Sequence, residues 1–183
     1  MGIIWTIAAA LWGVAEATVF FIVPDVLVTA AVLKFGFRPG LRLAVAAALA
    51  ASVAGSAMWL WGAQDAASAR HVMLAIPAIG PDLLARAHRE IAHNWGIHLL
   101  VGAVTGVPYK LYAVEAGARG IDPTLFALGS FVARLARFLL AAGLAELGRR
   151  TLLKLQRSEW AYALWAAGWI TLYAVYYSLR AMA

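Results

Sequence analysis

The chain has 183 residues, 64% of them hydrophobic and 13% charged, with a mean hydropathy of +0.80. A soluble globule is about 45–50% apolar and about 25% charged, so the composition excludes one and describes a single-domain integral membrane protein with room for about five or six membrane-crossing or membrane-entering segments. The net charge of +6 is scattered between apolar runs rather than gathered on one solvated face, which argues against nucleic acid as a partner, and zero cysteines exclude disulfides and thiolate chemistry.

The N-terminus, MGIIWTIAAALWG, has neither a basic n-region nor a clean cleavage site, so no signal peptide is expected. Residues 3–23 have the length of a spanning helix, yet they contain Glu16 and stop at Pro24-Asp25. Proline removes a backbone donor and clashes with the preceding turn, and an acid in hydrocarbon is costly. Residues 25–33 are apolar but far short of the roughly 20 residues a crossing needs. After the basic loop KFGFRPGLR (34–42), residues 43–63 read as a clean spanning helix, with Ala50, Ala54 and Ala57 as a small-residue packing face.

Residues 64–94 are a connector. Within it, PDLLARAHREIAHN (81–94) sets Leu83, Leu84, Ala87 and Ile91 on one helical face and Arg86, Arg89, Glu90 and His93 on another, as in a helix lying in the membrane interface. His88, His93 and His98 recur every five residues, which on a continuous helix turns each by about 140° from the last. They share no face, and neither a metal nor any other cofactor is expected. The apolar run 95–107 breaks at Pro108, and LYAVEAGA (111–118) is again short. Glu115 there is expected to pair locally with Lys110 or Arg119. Residues 124–147 form a second spanning helix, which carries Arg134 and Arg137. A basic linker (148–157) precedes a final span at 159–181, its ends marked by Trp160, Tyr173, Tyr176, Tyr177 and Arg180.

Shifting the sequence by 84 residues, the separation of Pro24 and Pro108, also brings Leu27 onto Leu111, Gly36 onto Gly120, Pro39 onto Pro123 and Leu41 onto Leu125. Two proline matches at one offset, in a chain with six prolines, point to two repeats: about 3–63 and 95–147, separated by the connector and followed by the C-terminal linker and span, 148–183. Each repeat is read as a re-entrant helical hairpin with its tip at Pro24 or Pro108, followed by a spanning helix. If the hairpins enter and return, the basic stretches 34–42 and 149–157 share one side, which the positive-inside rule makes cytoplasmic. The two repeats then have opposite orientations, an inverted repeat of the kind common in transporters.

EATVFFIVPDVLV (16–28) resembles the acidic, proline-containing motif of the DedA family, the bacterial branch of the VTT or SNARE-associated membrane proteins. GVPYKLYAVEAGA (106–118) followed by SFVARLARFLLAAGL (130–144) is similar to the second-half signature of its shorter YqaA-like branch. The resemblance covers about residues 12–148. It implies two facing re-entrant hairpins in the bacterial inner membrane and movement of lipids between leaflets, undecaprenyl phosphate in some members and phospholipids in others. By position, it puts the essential acidic pair on Glu16 and Asp25 and the essential arginine pair on Arg134 and Arg137.

Four ionisable residues at membrane depth cost roughly 2.5–3.5 kcal/mol each on insertion scales, so they must face protein, water or one another. Arg134 and Arg137 are i,i+3 and present one forked surface suited to a lipid phosphate, while a buried carboxylate can trade protons. Lys110, beside the second tip, is either a snorkelling anchor or a further head-group contact. The expected partners are phosphate-bearing lipids and protons. A proton-coupled carrier of a small ion or metabolite, and a scaffold whose charges only hold the hairpins together, stand as alternatives; a homo-oligomer is left open. With no nucleophile–base pair, metal constellation or nucleotide loop, no enzyme is expected.

Overall fold

The computed structural model describes the backbone of residues 2–181 and the side chains of these residues except 103, 104, 180 and 181, so the boundary role expected of Arg180 lies outside the described side chains. Among the described residues the fold is all-α. Its eight α-helices are α1 (Ile3–Thr18), α2 (Asp25–Phe35), α3 (Phe37–Gln64), α4 (Ala66–Leu74), α5 (Pro81–Thr105), α6 (Tyr109–Ala118), α7 (Pro123–Lys154) and α8 (Ala161–Ala181), with a 3-10 turn at Ser158–Trp160. Two of the described helices, α3 and α7, are long and apolar enough to cross a membrane. α8 forms where the final span is expected, but it is not one of those two.

Both long helices overrun their expected bounds. α3 starts inside the stretch read as a basic loop: only Gly36 (φ 89°) interrupts the chain, and Pro39 falls in the first turn, where its missing N–H leaves no bond unmade. α7 continues to Lys154 through the expected linker. Along it, Arg149 and Arg150 both reach back to Glu146 at 2.7 and 2.6 Å, which supports the extra turns. The amphipathic stretch 81–94 and the apolar run after it join end to end in α5, with a break at Asn94 (φ −160°, ψ 91°). There the Asn94 side chain accepts from Ile97 N at 3.1 Å, capping the second half of the helix. The expected buried face of the first half is observed: Leu83, Ala87 and Ile91 are buried and Leu84 is partly so. The 84-residue shift carries α2 onto α6 and the start of α3 to within two residues of the start of α7, and Gly36 and Gly120 both have positive φ, 89° and 66°.

α3 runs through the middle of the bundle. Ala54 of its expected packing face is buried, but Ala50 is only partly so and Ala57 is exposed. The buried stripe is Ala44, Ala47, Ala48, Ala51 and Ala54, because α3 serves α1, α6 and α7 at once rather than one partner. Against α6 the backbones touch: a Cβ added at Gly62 or Gly117 would collide with the carbonyls of Val114 and Trp59.

Two apolar clusters stack along the bundle. One joins α4, α5, α6, the second half of α3 and the start of α7; the other joins α1, α2, the first half of α3 and the later part of α7. Among the buried residues of α7 the first cluster ends at Ala133 and the second begins at Phe138, with Arg134 and Arg137 between them. The second cluster also takes in Trp5, Phe35 and Phe37 together with Ala145, which brings the basic stretches 34–42 and 149–157 to one end of the molecule. Trp5, at the start of α1, meets Phe35, at the end of α2, edge to face with ring centroids 5.2 Å apart, so the end of α2 returns to the level of the start of α1.

Candidate functional site

The chain leaves α1 at Thr18 and is non-helical until Pro24, in the plane of the charged layer. Irregular backbone against an apolar bundle needs partners for its polar groups, and three helices supply them. Trp12 Nε1 donates to the Ile22 carbonyl (2.8 Å), Lys110 Nζ donates to the Phe20 carbonyl (2.8 Å), and the Tyr173 hydroxyl accepts from Val23 N (2.8 Å). Pro24, itself buried, is the N-cap of α2, and Asp25 follows in the first turn, where the helix dipole favours a carboxylate. The second break is similar in form. Gly106 closes α5 in the left-handed conformation (φ 80°), Pro108 is the N-cap of α6, and the Tyr176 hydroxyl reaches the Gly106 carbonyl at 3.4 Å.

The expected site residues converge. Arg134 of α7 is 4% exposed and its guanidinium is paired with Glu16 of α1, itself 6% exposed. One turn on, Arg137 pairs with Asp25 of α2 at 2.5 Å. Glu16, Asp25, Lys110, Pro108 and Arg137 share a cavity of about 260 Å³. Arg134 lies behind it, beside a void of about 30 Å³ that it shares with Arg137, Tyr109 and Tyr112. Its guanidinium carbon lies 4.5 Å from the centre of the Tyr109 ring and 5.4 Å from that of Phe138, two cation–π contacts that help to hold it. Arg134 Nε is buried with no hydrogen-bond partner among the described residues, so one donor of the fork is uncommitted.

Lys110 does not snorkel. It is 1% exposed, and its ammonium is spent on the Phe20 carbonyl at the cavity wall. Counting Glu16 and Asp25 against Arg134, Arg137 and Lys110, the layer carries one excess positive charge. The wall that sequence reading missed comes from α8: Trp169, Leu172, Tyr173 and Tyr176 line the same cavity. Their spacing puts them on one helical face, a signal that reading the tyrosines as end markers had masked.

Glu115 pairs with neither Lys110 nor Arg119. It is held bidentately by Arg70 (2.7 and 2.8 Å) and also meets His88 Nδ1 at 2.7 Å, while Arg119 reaches His88 Nε2 at 2.9 Å. α4 folds back over α6, and no reading along the chain would bring Arg70 across 45 residues. The histidines also depart from expectation. The break at Asn94 reorients the chain so that the His93 and His98 rings lie 6.4 Å apart despite their five-residue spacing. Among the described residues no three histidine, aspartate or glutamate side chains gather as a metal site would require.

Chemically, the site holds two acid–guanidinium pairs and a lysine around a small cavity within an apolar bundle. Comparison with protein-family models, with curated proteins and with solved structures finds no match to this chain.

Proposed function

We propose that this protein is a flippase or scramblase of the bacterial inner membrane that moves a phosphate-bearing lipid, undecaprenyl phosphate or a phospholipid, between leaflets, as the resemblance to the DedA family implies. The observation that carries the reading is the pairing of both acids with both arginines across helices more than 100 residues apart in sequence, with Glu16, Asp25 and Arg137 at the wall of one cavity and Arg134 behind it. In this reading α1–α2 and α5–α6 are re-entrant hairpins in an inverted repeat, and their tips at Pro24 and Pro108 form the floor of a shared chamber. Support comes from the 84-residue correspondence of α2 with α6 and α3 with α7, and from the side-chain partners that satisfy both tips. The exposed aliphatic residues of α1, α3 and α7 form the lipid-facing belt.

The arginines are engaged at rest, so phosphate must displace a carboxylate. Protonation of Glu16 or Asp25 removes the competing anion and frees a planar fork for bidentate contact with phosphate; deprotonation restores the ion pair and expels the head group. That links lipid movement to a proton at named atoms. The chamber is smaller than the roughly 300–1,000 Å³ of a drug-sized pocket, which fits a head group with its tails outside. The same size favours a second reading, a proton-coupled carrier of a small ion.

The test is reconstitution. In proteoliposomes, leaflet-to-leaflet movement of a phosphate-bearing lipid is expected to require Arg134 and Arg137, to stop in Glu16→Gln and Asp25→Asn with the protein still folded, and to survive only partly in Arg→Lys variants. Diacylglycerol, which has no phosphate, is expected not to compete. Equal rates for charged and neutral lipids would make the protein a nonspecific scramblase. Proton-driven uptake of a soluble ion without lipid movement would leave the carrier reading in its place.

A further inference from the structure

A second cavity, of about 720 Å³, lies between α7 and α8, away from the acid–arginine pairs. We propose that it is a binding groove for one acyl chain of an anionic phospholipid, whose phosphate rests on the basic rim at its end. Small residues leave part of the space open, Ala141, Ala145 and Gly148 on α7 and Ala161 and Gly168 on α8, and leucines and tryptophans complete the apolar wall. A Cβ added at Gly148 or Gly168 would meet no atom within 4 Å, so no protein side chain fills the space there. The tryptophans on its wall, Trp165 and Trp169, both turn their indole N–H groups to Thr29 Oγ1, at 2.8 and 3.2 Å, and leave only ring surface to the groove. The volume is in the range of known ligand sites, and the lining is that of a site for hydrocarbon.

The ends of the groove select the occupant. At one end stands Arg149, and residues 146–159 hold four cations (Arg149, Arg150, Lys154, Arg157) against two carboxylates (Glu146, Glu159). Glu146 accepts from Arg149 and Arg150 together, which fixes both guanidiniums; the Arg150 side chain is 66% exposed and Lys154 and Arg157 are exposed as well. At the other end the groove stops at Trp169 and Leu172, which also line the polar chamber. A linear apolar tail with an anion at one end matches this gradient, and basic residues at a membrane surface attract anionic lipid. A helix of a second copy would fill the apolar part and leave the rim unanswered. The inference rests on the proposed embedding of α7 in the bilayer but not on transport.

The experiment uses the full chain in nanodiscs of phosphatidylcholine doped with phosphatidylglycerol that carries a diazirine in one acyl chain, with adducts mapped by mass spectrometry. Adducts are expected to concentrate in residues 141–152 and 161–172, and unlabelled phosphatidylglycerol, but not added phosphatidylcholine, is expected to compete. The double variant Gly148→Leu/Gly168→Leu, whose added Cβ atoms meet no protein atom within 4 Å, should lower these adducts at least fivefold with unchanged thermal unfolding. Arg150→Gln/Lys154→Gln/Arg157→Gln should abolish the preference for the anionic lipid. Adducts spread evenly over the exposed faces of α1 and α3, or equal labelling by a diazirine phosphatidylcholine, would overturn the proposal. So would disulfide capture of α8 against α8 of another copy through a cysteine at Leu164. Labelling without leaflet-to-leaflet movement would refute the transport reading and support the site; movement without labelling would do the reverse.

Discussion

At the level of single residues, the two ion pairs differ in how much depends on them. Arg134 and Glu16 are both buried, so removing the guanidinium strands a buried carboxylate without its partner, a defect that typically costs about 3–5 kcal/mol. The Arg137 side chain keeps 23% exposure, so water can take over part of its role for Asp25. Arg134→Ala is therefore expected to lower thermal stability in detergent markedly more than Arg137→Ala. The double variant Glu16→Gln/Arg134→Gln should recover much of the loss, because no unpaired charge is then buried. Equal losses in the two single variants would mean that burial does not set the strength of these pairs.

Between elements, the closest approach is that of α3 and α6. Alanine is worth about 1 kcal/mol over glycine in a helix interior, yet overpacking costs about 1–3 kcal/mol. At Gly117 the added Cβ meets the Trp59 carbonyl; at Gly143 on α7 it meets nothing within 4 Å. Gly117→Ala is expected to destabilise by about 1–2 kcal/mol and Gly143→Ala to be neutral or stabilising, as read by melting temperature in detergent. The first half of α5 is fastened to α6 in another way, through Glu90. Burial pushes the Glu90 carboxyl up, but hydrogen bonds from Tyr112 and Arg86 outweigh it and leave the group below its ordinary 4.5. A carboxylate held low stabilises the fold fully above its unfolded value, and that stability is lost as the pH falls through the lowered folded value. Protection factors for hydrogen exchange in residues 81–93, corrected for the intrinsic pH dependence of exchange, are thus expected to fall as the pH drops below 4.5, and Glu90→Gln should flatten the response.

For the whole molecule, the decisive prediction is topology. The chain has no cysteine, so one introduced at Arg38, Lys154 or Ala85, all exposed positions, is the sole label. The bundle brings 34–42 and 149–157 to one end, and for the proposed membrane embedding the positive-inside rule predicts that this end is cytoplasmic. Labels at Arg38 and Lys154 are expected to react from the cytoplasm and one at Ala85 from outside. Opposite reactivity of Arg38 and Lys154 would replace the re-entrant arrangement with a simple five-span bundle.

The sequence by itself determined the all-α class and the two helices able to cross a membrane, because hydrophobic length and composition are local properties of the chain. It also pointed to Pro24 and Pro108 as breaks, since proline acts on its own turn, and it marked Glu16, Asp25, Arg134 and Arg137 because charge in an apolar run demands a partner. The partners themselves were decided by packing. That Arg134 takes Glu16 and Arg137 takes Asp25, that Glu115 belongs to Arg70, and that α8 closes the chamber with Tyr173 and Tyr176 all depend on how α4, α7 and α8 lie against the rest. Nor could periodicity show that Asn94 turns the chain and brings His93 beside His98, since a helical wheel assumes the helix it is drawn on. Contacts across 45 to 150 residues carry no local signature, and only the tertiary structure could select them from the alternatives that the same charges allow.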